Sequence, residues 1–154
     1  MNTYNNIYKT ANLRRIQYQL QYAGALTPGE AFELLALEPL GLLIDVRTHA
    51  ELDWVGYPVV ANNQYVHVEW TQYPGAIQNS KFVEQLYKVA MPHTLILLLC
   101  RSAIRSKLAA EAAANAGFVR AFDILEGFEG KKDDRGHRKT ISGWCFRGLP
   151  WVSA

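Results

Sequence analysis

The segment Leu95-Ile96-Leu97-Leu98-Leu99-Cys100-Arg101-Ser102-Ala103-Ile104-Arg105-Ser106 holds the side chains most able to do chemistry. One thiol, two guanidinium groups and two hydroxyls fall within its last seven residues. A thiol attacks well only as thiolate, and cationic neighbours and free backbone N–H groups favour that form. The apolar run before Cys100 is short enough for a buried strand, and an alanine-rich helical pattern follows it. Ser102 or Ser106 is expected to cap that helix, which should run to about Ala116 before Gly117 ends it. The thiol then sits where a strand ends and a helix begins, among unpaired N–H groups that favour anions. A helix terminus contributes roughly 0.3–2 kcal/mol to an anion there, and adjacent cations add comparable amounts. Cys100 is therefore expected to be a nucleophile rather than a buried structural cysteine.

Other elements must hold this loop. Residues 1–24 read as an N-terminal amphipathic arm, with Leu13, Ile16 and Leu20 at helical spacing, and residues 25–154 as the domain proper. Thr27-Pro28-Gly29-Glu30 has the pattern of a capping box opening a helix through Phe32, Leu34, Leu35 and Leu37. Leu42 to Val46 reads as a buried strand, and Thr48 should cap a short helical turn through Glu51. Gly56 to Asn63 is turn-like, Tyr65 to Glu69 alternates as a strand does, and Tyr73-Pro74-Gly75 marks a loop. Ser80 should cap a helix to about Val89, and Val119 to Leu125 should form another strand before a loop-rich tail. Strands alternating with helices imply an α/β domain with a mostly parallel sheet. Ligands of such sheets bind beyond the carboxyl ends of strands. Asp45 to Arg47, Cys100 to Ser106 and Glu126 to Gly130 all lie at such ends and are expected to share one rim.

Composition narrows the classes. With 154 residues, 49% of them hydrophobic and 19% charged, the chain is long enough to bury a core and is not disordered. A net charge of +2, without a basic stripe interleaved with aromatics, argues against nucleic acid. Lys131, Lys132, Arg135, Arg138 and Lys139 cluster, but Asp133 and Asp134 interrupt them, as in a solvated loop. No stretch has the length of a membrane span or the pattern of a signal peptide, so a cytoplasmic protein without membrane contact is expected. Cys100 and Cys145 give no disulfide framework, and His49, His67, His93 and His137 lack zinc-ligand spacing. No metal and no cofactor are expected, since no glycine-rich nucleotide fingerprint is present either.

Three motifs in order resemble the rhodanese family of sulfurtransferase domains: Leu-Ile-Asp-Val-Arg-Thr with Glu51 following, Cys-Arg-Ser-x-x-Arg-Ser, and Leu-Glu-Gly-Phe-Glu-Gly. The resemblance covers roughly Leu26 to Trp151, and the ending Gly143-Trp144 with Gly148-Leu149-Pro150-Trp151 is similar to that of a subgroup of single-domain members. It implies a rhodanese-like α/β fold, a mostly parallel central sheet with helices on both faces. It also implies a persulfide on Cys100, formed from a small anionic donor such as thiosulfate and passed to a thiol or protein acceptor. On that resemblance, loop residues Arg101, Ser102, Ala103, Ile104, Arg105 and Ser106 hold the substrate, the two guanidiniums attracting the anion. Asp45, Arg47, Glu51, Glu126 and Gly127 brace the rim behind it. The alternative is a non-turnover module that binds a partner or carries or senses sulfur.

Cysteine-dependent phosphatases resemble this loop but place five residues between cysteine and arginine. Here four separate Cys100 from Arg105, and Ser106 stands at the phosphatase arginine position. Two departures from the rhodanese pattern stand out. Ala103 replaces a frequent glycine, and at positive φ it would cost roughly 1 kcal/mol. Trp54-Val55-Gly56-Tyr57-Pro58 replaces a Gly-His-Ile-Pro-Gly-Ala type of stretch flanking the rim. Trp54, Trp70, Trp144 and Trp151 are expected in core and lid packing, His137 on the surface, and Cys145 in a partly buried loop. The oligomeric state is left open by the sequence.

Overall fold

Continuous runs of Leu and Ile, with no polar alternation, form the middle of the sheet, as strands covered on both faces require. The computed structural model describes residues 3–61 and 63–154. Along the chain come α1 (Thr3–Tyr18), β1 (Gly24–Leu26), α2 (Pro28–Leu37), β2 (Leu42–Asp45), α3 (His49–Val55), β3 (Tyr57–Pro58) and β4 (Tyr65–His67). There follow β5 (Thr71–Gln72), β6 (Ile77–Gln78), α4 (Phe82–Val89), β7 (Ile96–Leu99), α5 (Arg105–Asn115), β8 (Ala121–Ile124) and β9 (Trp151–Val152). Five strands pair in the order β1-β8-β7-β2-β4, and every pairing is parallel.

The period of two along each strand sorts the core into two layers. Ile44, Val46, Ile96, Leu98 and Ala121 pack with Leu86 of α4 and with Ala109, Ala110 and Ala113 of α5. Leu43, Leu97, Leu99, Phe122 and Ile124 pack with Leu34 and Leu35 of α2, with Ile7 and Ala11 of α1, and with Phe128 and Trp144. This is the α/β architecture expected from the sequence, with helices on both faces of the sheet.

Both threonine caps form complete boxes. Thr27 Oγ1 accepts from the Glu30 amide at 3.2 Å while the Glu30 carboxylate accepts from the Thr27 amide at 2.9 Å. Thr48 and Glu51 repeat the arrangement at 3.1 Å each way. The two serine caps do not form. α4 starts after Lys81, and the Asn79 side chain, not Ser80, accepts the Lys81 amide. α5 starts after Ile104 with no side-chain cap, because both serines of the loop are placed otherwise.

The arm is a helix, but its buried face is not the expected one. Leu13 and Ile16 are more than half exposed, whereas Ile7 and Ala11 are buried against the sheet. Close approach decides this: a Cβ at Gly24 would lie 2.6 Å from the Ala11 carbonyl oxygen, so small residues meet where α1 crosses β1. Arg14 anchors the far end, donating to Glu30 Oε1 at 2.6 Å and to the Ala25 carbonyl at 2.9 Å. Met1 and Asn2 of the arm, and Asn62 of the expected turn, lie outside the described residues. Among the described residues no helix is long and apolar enough to cross a membrane.

Candidate active site

Cys100 follows β7 directly, at the carboxyl edge of the sheet, and is 1% exposed. Its sulfur accepts the Ser106 amide at 3.3 Å, so the thiol itself takes one of the free N–H groups at the start of α5. The Cys100 thiol also donates to Ser106 Oγ at 3.3 Å, and that hydroxyl donates to Asp123 Oδ1 at 2.5 Å. Ser106 is thus no cap for α5 but a bridge from the thiol to a buried carboxylate.

The loop between them is tightly braced. Ala103 is buried and adopts φ 69°, a left-handed conformation that costs a side chain what it does not cost glycine. Gly127, at φ 74°, lies under the loop: a Cβ there would stand 2.4 Å from the Arg101 carbonyl carbon and oxygen. The Phe128 amide donates to the Cys100 carbonyl at 2.7 Å, and the Glu129 and Gly130 amides donate to the Arg101 carbonyl at 3.0 and 3.1 Å. Glu126 turns away from the loop, accepting from the Gly143 amide at 2.8 Å and from Arg147 Nε at 3.0 Å, which ties the tail to the rim.

Two ion pairs stand beside the loop. Arg47 and Asp45 are wholly buried; Arg47 donates to both Asp45 oxygens, at 3.0 and 2.7 Å, and the Tyr65 hydroxyl adds a bond of 2.7 Å. The Arg47 guanidinium lies 4.2 Å from the Phe128 ring centroid. Arg105 donates to the two Glu51 oxygens at 2.6 and 2.9 Å. Burial alone would raise the Glu51 pKa, but Arg105 and the Thr48 amide outweigh it and hold the carboxyl down at about 2. Arg105 is therefore held in an ion pair with Glu51 at the edge of the loop. Arg101 is exposed, and its side chain has no ion-pair partner among the described residues.

A cavity of about 330 Å³ opens over the loop, walled by Thr48, Glu51, Trp54, Tyr73, Arg101 and Arg105. Trp54 is 67% exposed and meets Tyr73 edge to face, with ring centroids 5.1 Å apart. It is a rim residue, unlike Trp144, which is fully buried. Tyr73 belongs to the β5–β6 turn, which the sequence marked only as a loop. Ile104 and Ser102 belong to the loop, Ile104 pointing out at 71% exposure. Cys145 is a free cysteine packed against the other core layer, and burial pushes its pKa up to about 11. His137 is exposed on a turn organised by Asp133, which accepts the Arg135 and His137 amides. Among the described residues no group of three or more His, Cys, Asp or Glu is placed to hold a metal.

The residue that sequence reasoning missed is Asp123. The signal was available, since a lone carboxylate interrupts the apolar strand Ala-Phe-Asp-Ile; Asp123 pairs with Leu98, two residues before Cys100. Burial raises its pKa to about 6, against the opposing pull of the Ser106 hydrogen bond and the Lys107 charge.

No family model matches the chain. It is 40% identical to Rv0390 from M. tuberculosis, whose crystal structure superposes with a TM-score of 0.79 over 85% of this chain and 98% of that one. It is 33% identical over 124 residues to the uncharacterized protein RP600 of Rickettsia prowazekii, 79% of this chain and 91% of that protein. The polysulfide-sulfur transferase homodimer of Wolinella succinogenes shares the fold at 23% identity, with a TM-score of 0.60 over 99% of this chain and 93% of that one. The chain is a relative of Rv0390 and RP600, and its fold is that of a single-domain rhodanese-like protein.

Proposed function

We propose that this protein is a sulfurtransferase that carries sulfane sulfur on Cys100, taking it from a small anion such as thiosulfate and giving it to a thiol or protein acceptor. The observation that carries the reading is the Cys100 sulfur held against the first turn of α5 by the Ser106 amide. The thiolate attacks the outer sulfur of the donor; a new S–S bond forms, the donor S–S bond breaks, and sulfite leaves with the electron pair. The acceptor thiolate then attacks the outer sulfur of the persulfide, and Cys100 leaves as thiolate.

Burial of the sulfur suits this chemistry, because a terminal sulfur atom is slim enough to reach a thiol that is 1% exposed. Arg101 supplies the cation that draws the anion into the cavity. Loop amides from Arg101 to Arg105 would hold the outer sulfur, while Asp45, Arg47, Glu51, Glu126 and Gly127 fix the rim. Four residues between Cys100 and Arg105, with that arginine already tied to Glu51, speak against phosphoryl transfer. Two free thiols suit a reducing compartment such as the cytoplasm.

A second reading, a module that holds sulfur without turnover, draws support from the strained Ala103 and the ion-paired Arg105. Thiosulfate:cyanide sulfurtransferase assays of the wild type beside Cys100→Ser separate the two. Activity present in the wild type and absent in the variant is expected. Equal activity in both would remove Cys100 from the reaction, and a wild type that takes up sulfur without turnover would favour the module.

A further inference from the structure

We propose that Asp123 is a positioning residue for Cys100 that holds the thiol proton through Ser106 while the sulfur is loaded and returns it when the sulfur leaves. The geometry is a chain of two hydrogen bonds, from the Cys100 thiol to Ser106 Oγ at 3.3 Å and from the Ser106 hydroxyl to Asp123 Oδ1 at 2.5 Å. All three residues are buried. The other oxygen, Asp123 Oδ2, is buried without a hydrogen-bond partner among the described residues. An uncompensated carboxylate oxygen is expensive to bury, so a carboxylate kept there calls for a use.

Its surroundings suit a proton acceptor. Lys107 of α5 favours the charged form, and the Ser106 hydroxyl does so more strongly, while burial opposes both. Tyr22, ahead of β1, is pushed up by burial and by the charges of Asp123 and Glu111 and so stays neutral. Arg14 of α1, with Tyr18, Tyr22 and Lys107, walls a cavity of about 480 Å³ that Asp123 also lines. With burial holding its pKa at about 6, Asp123 takes and gives a proton near neutrality. This cavity shares no lining residue with the one walled by Arg101 and Arg105, so the proton store at Asp123 and the anion's way in are separate.

The steps balance. In loading, the thiol proton passes to Ser106 Oγ as the hydroxyl proton passes to Asp123, leaving a thiolate and a neutral carboxylic acid. The thiolate attacks the outer sulfur of the donor, whose S–S bond breaks towards the leaving group. In unloading, the acceptor thiolate takes the outer sulfur, the S–S electron pair stays on Cys100, and the proton returns from Asp123 through Ser106. One proton moves out and back for each sulfur carried.

Loading and unloading rest on the persulfide reading, whereas the coupling of the two titrations does not. The test is therefore in two arms. In the first, thiolate ultraviolet absorbance is titrated against pH in the wild type and Asp123→Asn, each as a difference from its counterpart that also carries Cys100→Ser. The wild type should titrate in two coupled steps and Asp123→Asn in one; identical curves would overturn the proposal whether or not sulfur ever loads. In the second, protein loaded with sulfur is mixed with a small thiol. Asp123→Asn and Ser106→Ala should each slow unloading tenfold or more, with no further loss in the double variant. Unchanged rates, or losses that multiply, would overturn it. Ser106→Ala removes only one hydroxyl and carries this arm should Asp123→Asn fail to fold.

Discussion

Two arginine–carboxylate pairs flank the Cys100 loop, and they differ in almost everything except chemistry. Asp45 and Arg47 are two residues apart, fully buried, and joined by Tyr65 and the Phe128 ring. Glu51 and Arg105 are 54 residues apart, about one-fifth exposed, and join α3 to α5 across the cavity wall. The first pair closes the end of β2 against β4 and the segment under the loop. The second fixes the first residue of α5, and so where the Ser106 amide points. Burial therefore separates an ion pair that holds the fold from one that shapes the site. Losing one partner of a buried pair leaves an uncompensated charge in the core, whereas water screens much of such a loss at the rim.

The sharpest break of this contrast is Arg47→Ala, which leaves Asp45 buried without its cation. It should lose about 3–5 kcal/mol in denaturant unfolding, enough to unfold much of the protein. Arg105→Ala should lose only about 1–2 kcal/mol, yet slow sulfur loading by tenfold or more because the first turn of α5 is no longer fixed. If both variants proved equally unstable, burial would not be what separates the pairs. Acid should reach the rim pair in a defined window. Glu51 titrates at about 2 in the fold and about 4.3 when unfolded, while Arg105 stays charged. Its contribution is present above about pH 4.3 and disappears as pH falls towards 2, so the stability gap between wild type and Arg105→Ala should close over that range.

Smaller changes refine the picture. Thr48→Ala removes the hydroxyl that accepts the Glu51 amide, and should lose about 1 kcal/mol. Its loading rate should fall less than that of Arg105→Ala, since the carboxylate keeps its guanidinium. Ala103→Gly relieves the left-handed φ and should gain about 1 kcal/mol or less in thermal unfolding. A loss instead would mean that the methyl group packs under the loop more than it strains it.

The parts legible in the sequence were those encoded locally. The runs through β2 and β7 announce strands buried on both faces, and Thr27 to Glu30 and Thr48 to Glu51 each announce a cap within four residues. What escaped depends on partners distant in sequence. β3 and β9 are two residues each and exist only by pairing with one another, and β1 is three residues at the sheet edge. The buried face of α1 follows from the meeting of Ala11 and Gly24, which no helical periodicity reports. At the site, the order of motifs pointed to Cys100 and its loop, and the replacement of a frequent glycine by Ala103 raised the question of a left-handed φ there. The pairing of Arg105 with Glu51 and the bridge from Ser106 to Asp123 were not, because each joins side chains from separate elements.

The central claim is that Cys100 carries sulfur and releases it. The most direct measurement is intact mass of the wild type and Cys100→Ser after exposure to thiosulfate, then again after addition of a small thiol. The account expects the wild type alone to gain the mass of one sulfur atom and to lose it to the thiol. A gain that persists in Cys100→Ser, or no gain in the wild type, would contradict it.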